Sequence, residues 1–404
     1  MSLMAVSEAL ARVLAQANQL PPDLKVPLAD AHGRVLTADV PALRTQPPAS
    51  LSAMDGYAVR AVDVTTAPVR LRLVGEVAAG RPLEQAIGAG EAARIFTGGL
   101  LPSGADAVVV QESASREQGT IIVQKPARLG QHVRTEGLDF RCGELLLRKG
   151  HRLSERDLAL AAAMNHAHLP VHRRPRLAMF GTGDELVMPG STPGMGQIVY
   201  SNGYAITALA RREGCDVIDL GIVADRIADT VAAVRRARDQ AADILVSTGG
   251  ASVGDYDLVQ RALAHEGLVL SFWRVAMRPG RPMLHGRLGP MHVMGLPGNP
   301  VSAYVCAFLF LVPLIRRLAG RDDVEPRPEA ALLACDIKQN DERTDYLRAR
   351  LILQDTGLPL ANPVPVQDSS MLSALAAADC LLIREPHAPA AKAGAPCSML
   401  RLNV

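Results

Sequence analysis

Between residues 173 and 320, short continuous apolar runs alternate with stretches in which apolar positions recur every three or four residues. The runs predict strands over Arg176–Phe180, Val217–Leu220, Ile244–Ser247, Val269–Val275 and His292–Gly295. The intervening periods predict helices over Ser201–Glu213, Arg226–Gln240, Asp257–Glu266 and Val301–Ala319. Strands apolar on both faces, alternating with helices, predict a doubly wound α/β domain, which binds ligands beyond the carboxyl ends of its strands.

The flanking regions follow other patterns. Residues 46–135 lack a helical period and read as a β-rich lobe, with VRLRLVGEV, AARIFTG, DAVVVQE and TIIVQK separated by Gly/Pro turns. Residues 1–45 begin with a helical pattern, followed by a short strand around Gly33–Ala38. Residues 136–172 add a strand at Glu144–Leu147 and a helix at Ser154–Met164, capped by Ser154 with Asp157 in its first turn. After the charged, proline-containing RDDVEPRPEA, residues 321–404 carry AALLACDI, YLRARLIL, CLLIRE and SMLRLNV, the strands of a small β-barrel or sandwich.

Composition narrows the function. Hydrophobic residues make up 48% and charged residues 21%, enough for several cores. A net charge of +2, from 43 basic and 41 acidic side chains, gives no electrostatic case for nucleic acid or a membrane surface. The six cysteines form no C-x-x-C pair, which speaks against a zinc cage or disulfide scaffold and for reduced thiols in a cytoplasmic protein. No uninterrupted apolar segment approaches the roughly 20 residues that span a bilayer.

Candidate chemistry gathers at the carboxyl ends of the α/β strands. LVSTGGASVGDYD (245–257) combines backbone N–H groups freed by glycine with carboxylates. Asp184, Glu185, Asp225, Asp255 and Asp257 all end or follow strands; each also reads as a helix N-cap or first-turn acid. Together, hard oxygen donors at one sheet edge suit Mg²⁺ bridging to phosphate oxygens. The glycine-rich loop with Gly249, Gly250, Ser252 and Gly254 suits an anion. Arg278 and Arg281 flank Pro279-Gly280, and GLPGNP contributes Pro297, Gly298 and Asn299 as a strand-to-helix turn. GTGDEL lacks the third glycine of a dinucleotide fingerprint, and no P-loop signature is present.

Eight motifs share one order: SAMDGYA, FTG..LP.GADAVV, EG.DF..GE, F.TGDEL..PG, LGIV.D, STGG.SVGDYD, FW.VAM.PG.P and GLPGNPVSA. In that order the chain resembles the molybdopterin molybdenumtransferases, the bacterial MoeA and gephyrin E-domain family, from about residue 5 to its C-terminus. The resemblance implies Mg²⁺-dependent insertion of molybdate into adenylylated molybdopterin, with release of AMP. It implies a homodimer whose site is shared between protomers. Each protomer would have a discontinuous linking domain (1–45 and 136–172), the β-rich lobe (46–135), the molybdopterin-binding α/β domain (173–320) and the C-terminal β domain (321–404). Carried over by motif, Asp55, Thr97 and Asp139 are polar site residues of the first two segments. Glu185, Asp225 and Asp257 are the catalytic, metal-holding acids, and Ser369 belongs to the anion site. Implied partners are a molybdopterin adenylyltransferase and molybdoenzymes or their chaperones.

Four departures from the family pattern stand out. The family's K-P-G-K-P carries Arg278 and Arg281 here; Gly181 replaces a serine; PPASL replaces P-P-F-D-N; and DSSMLS replaces G-S-G-M-L-S. They keep open a paralogue that handles tungstate or another pterin nucleotide. A non-catalytic, gephyrin-like scaffold is the other alternative.

Overall fold

The computed structural model describes residues 3–249 and 258–402. At its centre is a six-stranded sheet, whose strands are numbered here within the α/β domain. They are β1 (Arg176–Thr182), β2 (Asp216–Val223), β3 (Ile244–Thr248), β4 (Val269–Trp273), β5 (Leu284–Leu288) and β6 (Met291–Leu296), in spatial order β2-β1-β3-β6-β5-β4. The first four in that order are parallel; β5 and β4 run antiparallel to their neighbours. Strand β5 escapes the sequence pattern because Leu284–Leu288 interleaves His285 and Arg287 among apolar residues. It joins β6 through a tight turn at Gly289, whose φ of +61° falls in the left-handed region. Strand β4 ends at Trp273 rather than Val275, because Arg274 turns the chain with φ +77°.

Helices α1 (Asn202–Arg212), α2 (Ile227–Asp239) and α3 (Leu258–His265) cover the sheet, together with the long α4. This last helix runs from Pro300 to Leu318 and widens into a π-turn over Ala307–Leu311. Pro313 offers no N–H to the carbonyl a turn earlier, and the wider turn lies just before it. At 19 residues and a mean hydropathy of 1.7, α4 comes closer to membrane-spanning composition than the sequence reading allowed. Yet 83% of its apolar window is buried inside the protein, where Val305, Phe310, Leu311 and Leu314 form the largest core. The N-terminal helix Val6–Ala15 packs into this same core through Ala9 and Val13.

A second core draws Leu36 and Val40 from the first segment and Phe140, Leu147, Leu153 and Leu169 from the later one, so two stretches far apart in sequence fold as one unit. Pro22–Pro27 pairs with His168–His172, and Val40–Pro41 with Leu145–Leu147. The strand expected around Gly33–Ala38 is absent; only isolated bridges occur, Val35 to Arg152 and Leu36 to Val171. Ser154 and Asp157 form a capping box on Glu155–Ala163. In the β-rich lobe six strands lie in the order Ala107–Val110, Gly56–Val59, Glu91–Ile95, Val69–Val77, Thr120–Val123, Ala114–Glu117.

The C-terminal strands close into a five-stranded barrel. Thr344–Ile352 pairs with both Leu360–Pro363 and Cys380–Arg384, and Glu329–Leu333 and Pro396–Arg401 complete the ring. One short parallel pairing, Met277–Arg278 with Thr344–Asp345, stitches the barrel to the α/β domain. That stitch places the barrel beside the carboxyl ends of the central strands.

Candidate active site

Strands β1, β3 and β6 deliver their carboxyl-terminal turns to one cleft of about 680 Å³ between the α/β domain and the barrel. Glu185, Asp225, Gly249, Arg278, Arg281, Pro297, Gly298, Asn299 and Ser369 all line it. A neighbouring recess of about 400 Å³ shares Thr182, Glu185, Gly249, Gly298 and Asn299 and extends to Tyr200 and Ser370. Gly250, Ser252, Gly254, Asp255 and Asp257 lie outside the described residues.

The acidic edge is held by neutral donors rather than by arginines. Asp225 accepts a hydrogen bond from the Thr182 hydroxyl, and its own N–H donates to Asp184 at 3.1 Å. Glu185 is exposed and has no ion-pair partner among the described residues. Gly249 must be glycine: its φ is +88°, and a Cβ there would sit 2.3 Å from the Thr182 carbonyl oxygen. The loop backbone therefore reaches closer to β1 than any side chain would permit.

Among the described residues, no three His, Cys, Asp or Glu side chains gather into a metal cage. Of the expected Mg²⁺ ligands Glu185, Asp225 and Asp257, the two that are described face the same cleft. One or two carboxylates, with waters and substrate phosphates completing the shell, is the donor set Mg²⁺ accepts, so these residues fit it.

The two arginines differ. Arg278 lines the cleft, but its guanidinium is claimed from the barrel by Asp345, by Asp341 at 3.2 Å and by Asn340 at 3.4 Å. Arg343 also binds Asp341 at 2.7 Å, and its hydrogen bonds, side-chain then backbone, hold the Asp341 carboxyl down at about 2. Arg281 is exposed in the cleft with no carboxylate partner among the described residues. Arg278 is thus bound into the junction between domains, and Arg281 is the cation open to an anion.

The Asn299 turn is also built across that junction. Asn299 precedes Pro300 in extended conformation, but its amide donates to Ser369 Oγ at 2.8 Å instead of capping α4. The Ser369 carbonyl in turn accepts the Val301 N–H at 3.1 Å. Asn202 donates to the Gly298 carbonyl at 2.7 Å, fixing the turn from the other side. Two cleft residues went unread in the sequence, Arg343 and Gln367, and Asp368 was quoted only as the start of DSSMLS, with no role given to it. Gln367 and Asp368 had only the DSSMLS segment as a signal and Arg343 had none, because the barrel segments that carry them reach the cleft through tertiary packing.

Asp55, Thr97 and Asp139 do not line this cleft. Thr97 donates to Asp55 Oδ1 twice, from its N–H and its hydroxyl, each at 2.7 Å. Those bonds, the backbone one first, hold the Asp55 carboxyl below its usual range, and the nearby Arg94 charge adds to them. Asp139 is exposed, and its N–H donates to the Gln46 carbonyl at 3.0 Å.

Gly181 has a clear packing reason. A Cβ there would lie 2.3 Å from the Tyr200 ring, and one at Gly203 would lie 2.2 Å from the Tyr200 hydroxyl oxygen. The ring fills the space where a serine side chain would stand.

The chain matches three family models in series. They are described as the "MoeA N-terminal region (domain I and II)" over residues 4–165, the "Probable molybdopterin binding domain" over 178–317 and the "MoeA C-terminal region (domain IV)" over 330–402. It is 33% identical to a molybdopterin molybdenumtransferase of Haemophilus influenzae, with 91% of each chain covered. It is 39% identical to one from a Nostoc species, covering 72% of this chain and 68% of that relative. The crystal structure of the molybdopterin biosynthesis moea protein from Pyrococcus horikosii superposes with a TM-score of 0.82 at 30% identity, over 100% of both chains. With sequence, domain order and whole-chain fold in agreement, the chain belongs to the molybdopterin molybdenumtransferase (MoeA) family.

Proposed function

We propose that this protein takes molybdate and adenylylated molybdopterin as substrates, inserts the molybdenum and releases AMP. It is a transferase of molybdenum cofactor biosynthesis. The observation that carries the finer reading is the convergence of Glu185, Asp225, Arg281 and the Asn299–Ser369 pair on one cleft. Arg281 supplies the open positive charge that a dianion such as molybdate seeks. The Gly249 backbone and the Pro297–Asn299 turn admit phosphate close to the strand ends. Glu185 and Asp225 would hold Mg²⁺, which when bound supplies positive charge to the pyrophosphate oxygens. The Thr182 hydroxyl orients Asp225 for that role.

Asp55, Thr97 and Asp139 are exposed and lie apart from their own chain's cleft. Their role in the reaction therefore needs a second protomer that brings its lobe to this cleft, and a cytoplasmic homodimer is part of the proposal. There the Asp55 carboxylate, held ionised by Thr97, would accept hydrogen bonds from the substrate. Handover from an adenylyltransferase and delivery to a molybdoenzyme complete the pathway proposed for it.

The test is AMP release from adenylylated molybdopterin by purified protein with Mg²⁺, with and without molybdate, followed by reconstitution of a molybdenum-free apoenzyme. Molybdate-dependent release with active reconstituted enzyme is expected. Absence of release under both conditions would refute the transfer reading in favour of a scaffold, and release only with tungstate would refute molybdate as substrate.

A further inference from the structure

A second cavity, of about 530 Å³, lies where the linking domain, the α/β domain and the barrel meet, away from the strand ends. Six arginines line it: Arg152, Arg212, Arg316, Arg321, Arg327 and Arg401. Four carboxylates face them, Glu213, Asp323, Glu325 and Glu329, so two positive charges remain uncompensated.

The pairing is uneven. Glu213, only 4% exposed, accepts from Arg316 Nε at 2.8 Å and from Arg321 at 2.8 Å. Arg321 spends its remaining donors on Asp323, and Arg401 forks onto Glu329. The other three guanidiniums have no carboxylate hydrogen bond among the described residues. Arg152 donates to the carbonyls of Gly33 at 3.3 Å and Arg212 at 2.6 Å. Arg212 reaches the Leu402 carbonyl at 3.2 Å, while its Nε is buried with no hydrogen-bond partner among the described residues, 3.4 Å from the already crowded Glu213. Arg327 is exposed with no ion-pair partner among the described residues. Burial, and then repulsion from Arg321, lower the Arg152 pKa below its ordinary value. A further anion in the cavity would oppose that lowering. Phe308 and Leu402 add an apolar wall.

We infer that this cavity is a binding site for a compact phosphate-bearing polyanion, gripped by Arg152, Arg212 and Arg327. Guanidinium forks match phosphate oxygens in pairs, and three of them converging from separate domains match a diphosphate rather than a monovalent ion. The ligand would tie the linker that follows α4 to both the linking domain and the α/β domain. The barrel hangs on that linker, so occupancy would bias the angle of the barrel over the active-site cleft. The inference does not depend on the reaction proposed above, since its readout is binding.

The experiment is calorimetric titration of the whole protein with pyrophosphate and with AMP, at constant ionic strength set by chloride. Wild type is compared with Arg281→Ala, Arg327→Glu, Arg212→Ala and the double variant Arg281→Ala/Arg327→Glu. Arg281→Ala should retain one pyrophosphate site, and adding Arg327→Glu should weaken it by roughly tenfold, the worth of a charge-assisted contact. If Arg212→Ala is poorly folded, the exposed Arg327→Glu decides alone. AMP binding as tightly as pyrophosphate would indicate a nucleotide using the Phe308 wall; pyrophosphate alone would indicate the inorganic anion. The inference fails if Arg281→Ala abolishes all binding, or if the remaining site ignores Arg327→Glu.

Discussion

The two cavities set similar charges to opposite uses. In the active-site cleft, Glu185 and Arg281 have no ion-pair partners among the described residues, and Asp225 leans on a neutral hydroxyl. In the arginine cavity most acids are spent on guanidiniums, and Glu213 alone serves two by hydrogen bonds. Unspent carboxylates at a sheet mouth are available to a cation, and spent carboxylates are structural mortar. What remains unspent identifies what each cavity can bind. Arg278 shows the boundary between the two uses: it lines the cleft yet belongs, by its bonds to Asp341 and Asp345, to the mortar.

The strongest way to break this contrast is to remove the unspent acids. Asp225→Ala or Glu185→Ala should lower molybdate-dependent AMP release by at least about a hundredfold, with unfolding midpoints near wild type, since neither acid has an ion pair among the described residues to lose. Turnover within a few-fold of wild type would dissolve the assignment. Glu213→Ala should do the reverse: it leaves buried arginines uncompensated and should cost about 3–5 kcal/mol in denaturant unfolding. A loss under 1 kcal/mol would show that the cavity tolerates its charge without that acid.

Smaller effects sharpen the picture. Gly181→Ser, which restores the residue of the family pattern, should destabilise by roughly 1–3 kcal/mol because Tyr200 occupies the space; pairing it with Tyr200→Phe should not rescue it, whereas Tyr200→Ala should. The last prediction concerns His285 and His292, stacked on the neighbouring strands β5 and β6 and buried, 0% and 2% exposed. Burial first, then the Arg287 charge, hold their pKa values down at about 4 and about 3. Folded-state values below the unfolded ~6.5 mean that the unfolded chain binds protons first. Stability should therefore be full above pH 6.5 and fall on acidification, by at most about 1.4 kcal/mol per unit for each ring, until the folded pKa values are reached. An acid limb of the stability profile that is identical in a His285→Leu/His292→Leu variant would exclude these rings as its source.

Much of the site was readable because strand ends are local events. A continuous apolar run followed by glycine and an acid places Glu185, Asp225 and the Asn299 turn at one sheet edge without any knowledge of contacts. The exceptions have specific causes. Strand β5 hides because His285 and Arg287 interrupt its pattern, yet Arg287 is satisfied by carbonyls and His292, and His285 meets His292 through Nε2 while its Nδ1 is buried without a hydrogen-bond partner among the described residues. The fifth barrel strand, Leu360–Pro363, is too short and too rich in Asn and Pro to signal itself. Arg343 and Gln367 carry no motif at all, and Asp368 only opens DSSMLS.

Periodicity, turn residues and charge balance are properties of near neighbours, and from them the sequence alone determined the α/β core, the β-rich lobe and the place of Glu185 and Asp225 at the strand ends. Which charges are free was decided only when the barrel closed on itself and docked. That step brought Asp341 and Asp345, more than sixty residues away in the chain, onto Arg278, and left Arg281 open. A guanidinium reads the same in sequence whether it is spent or not. Its availability depends on which carboxylates lie within a few ångströms, and packing between domains sets that distance.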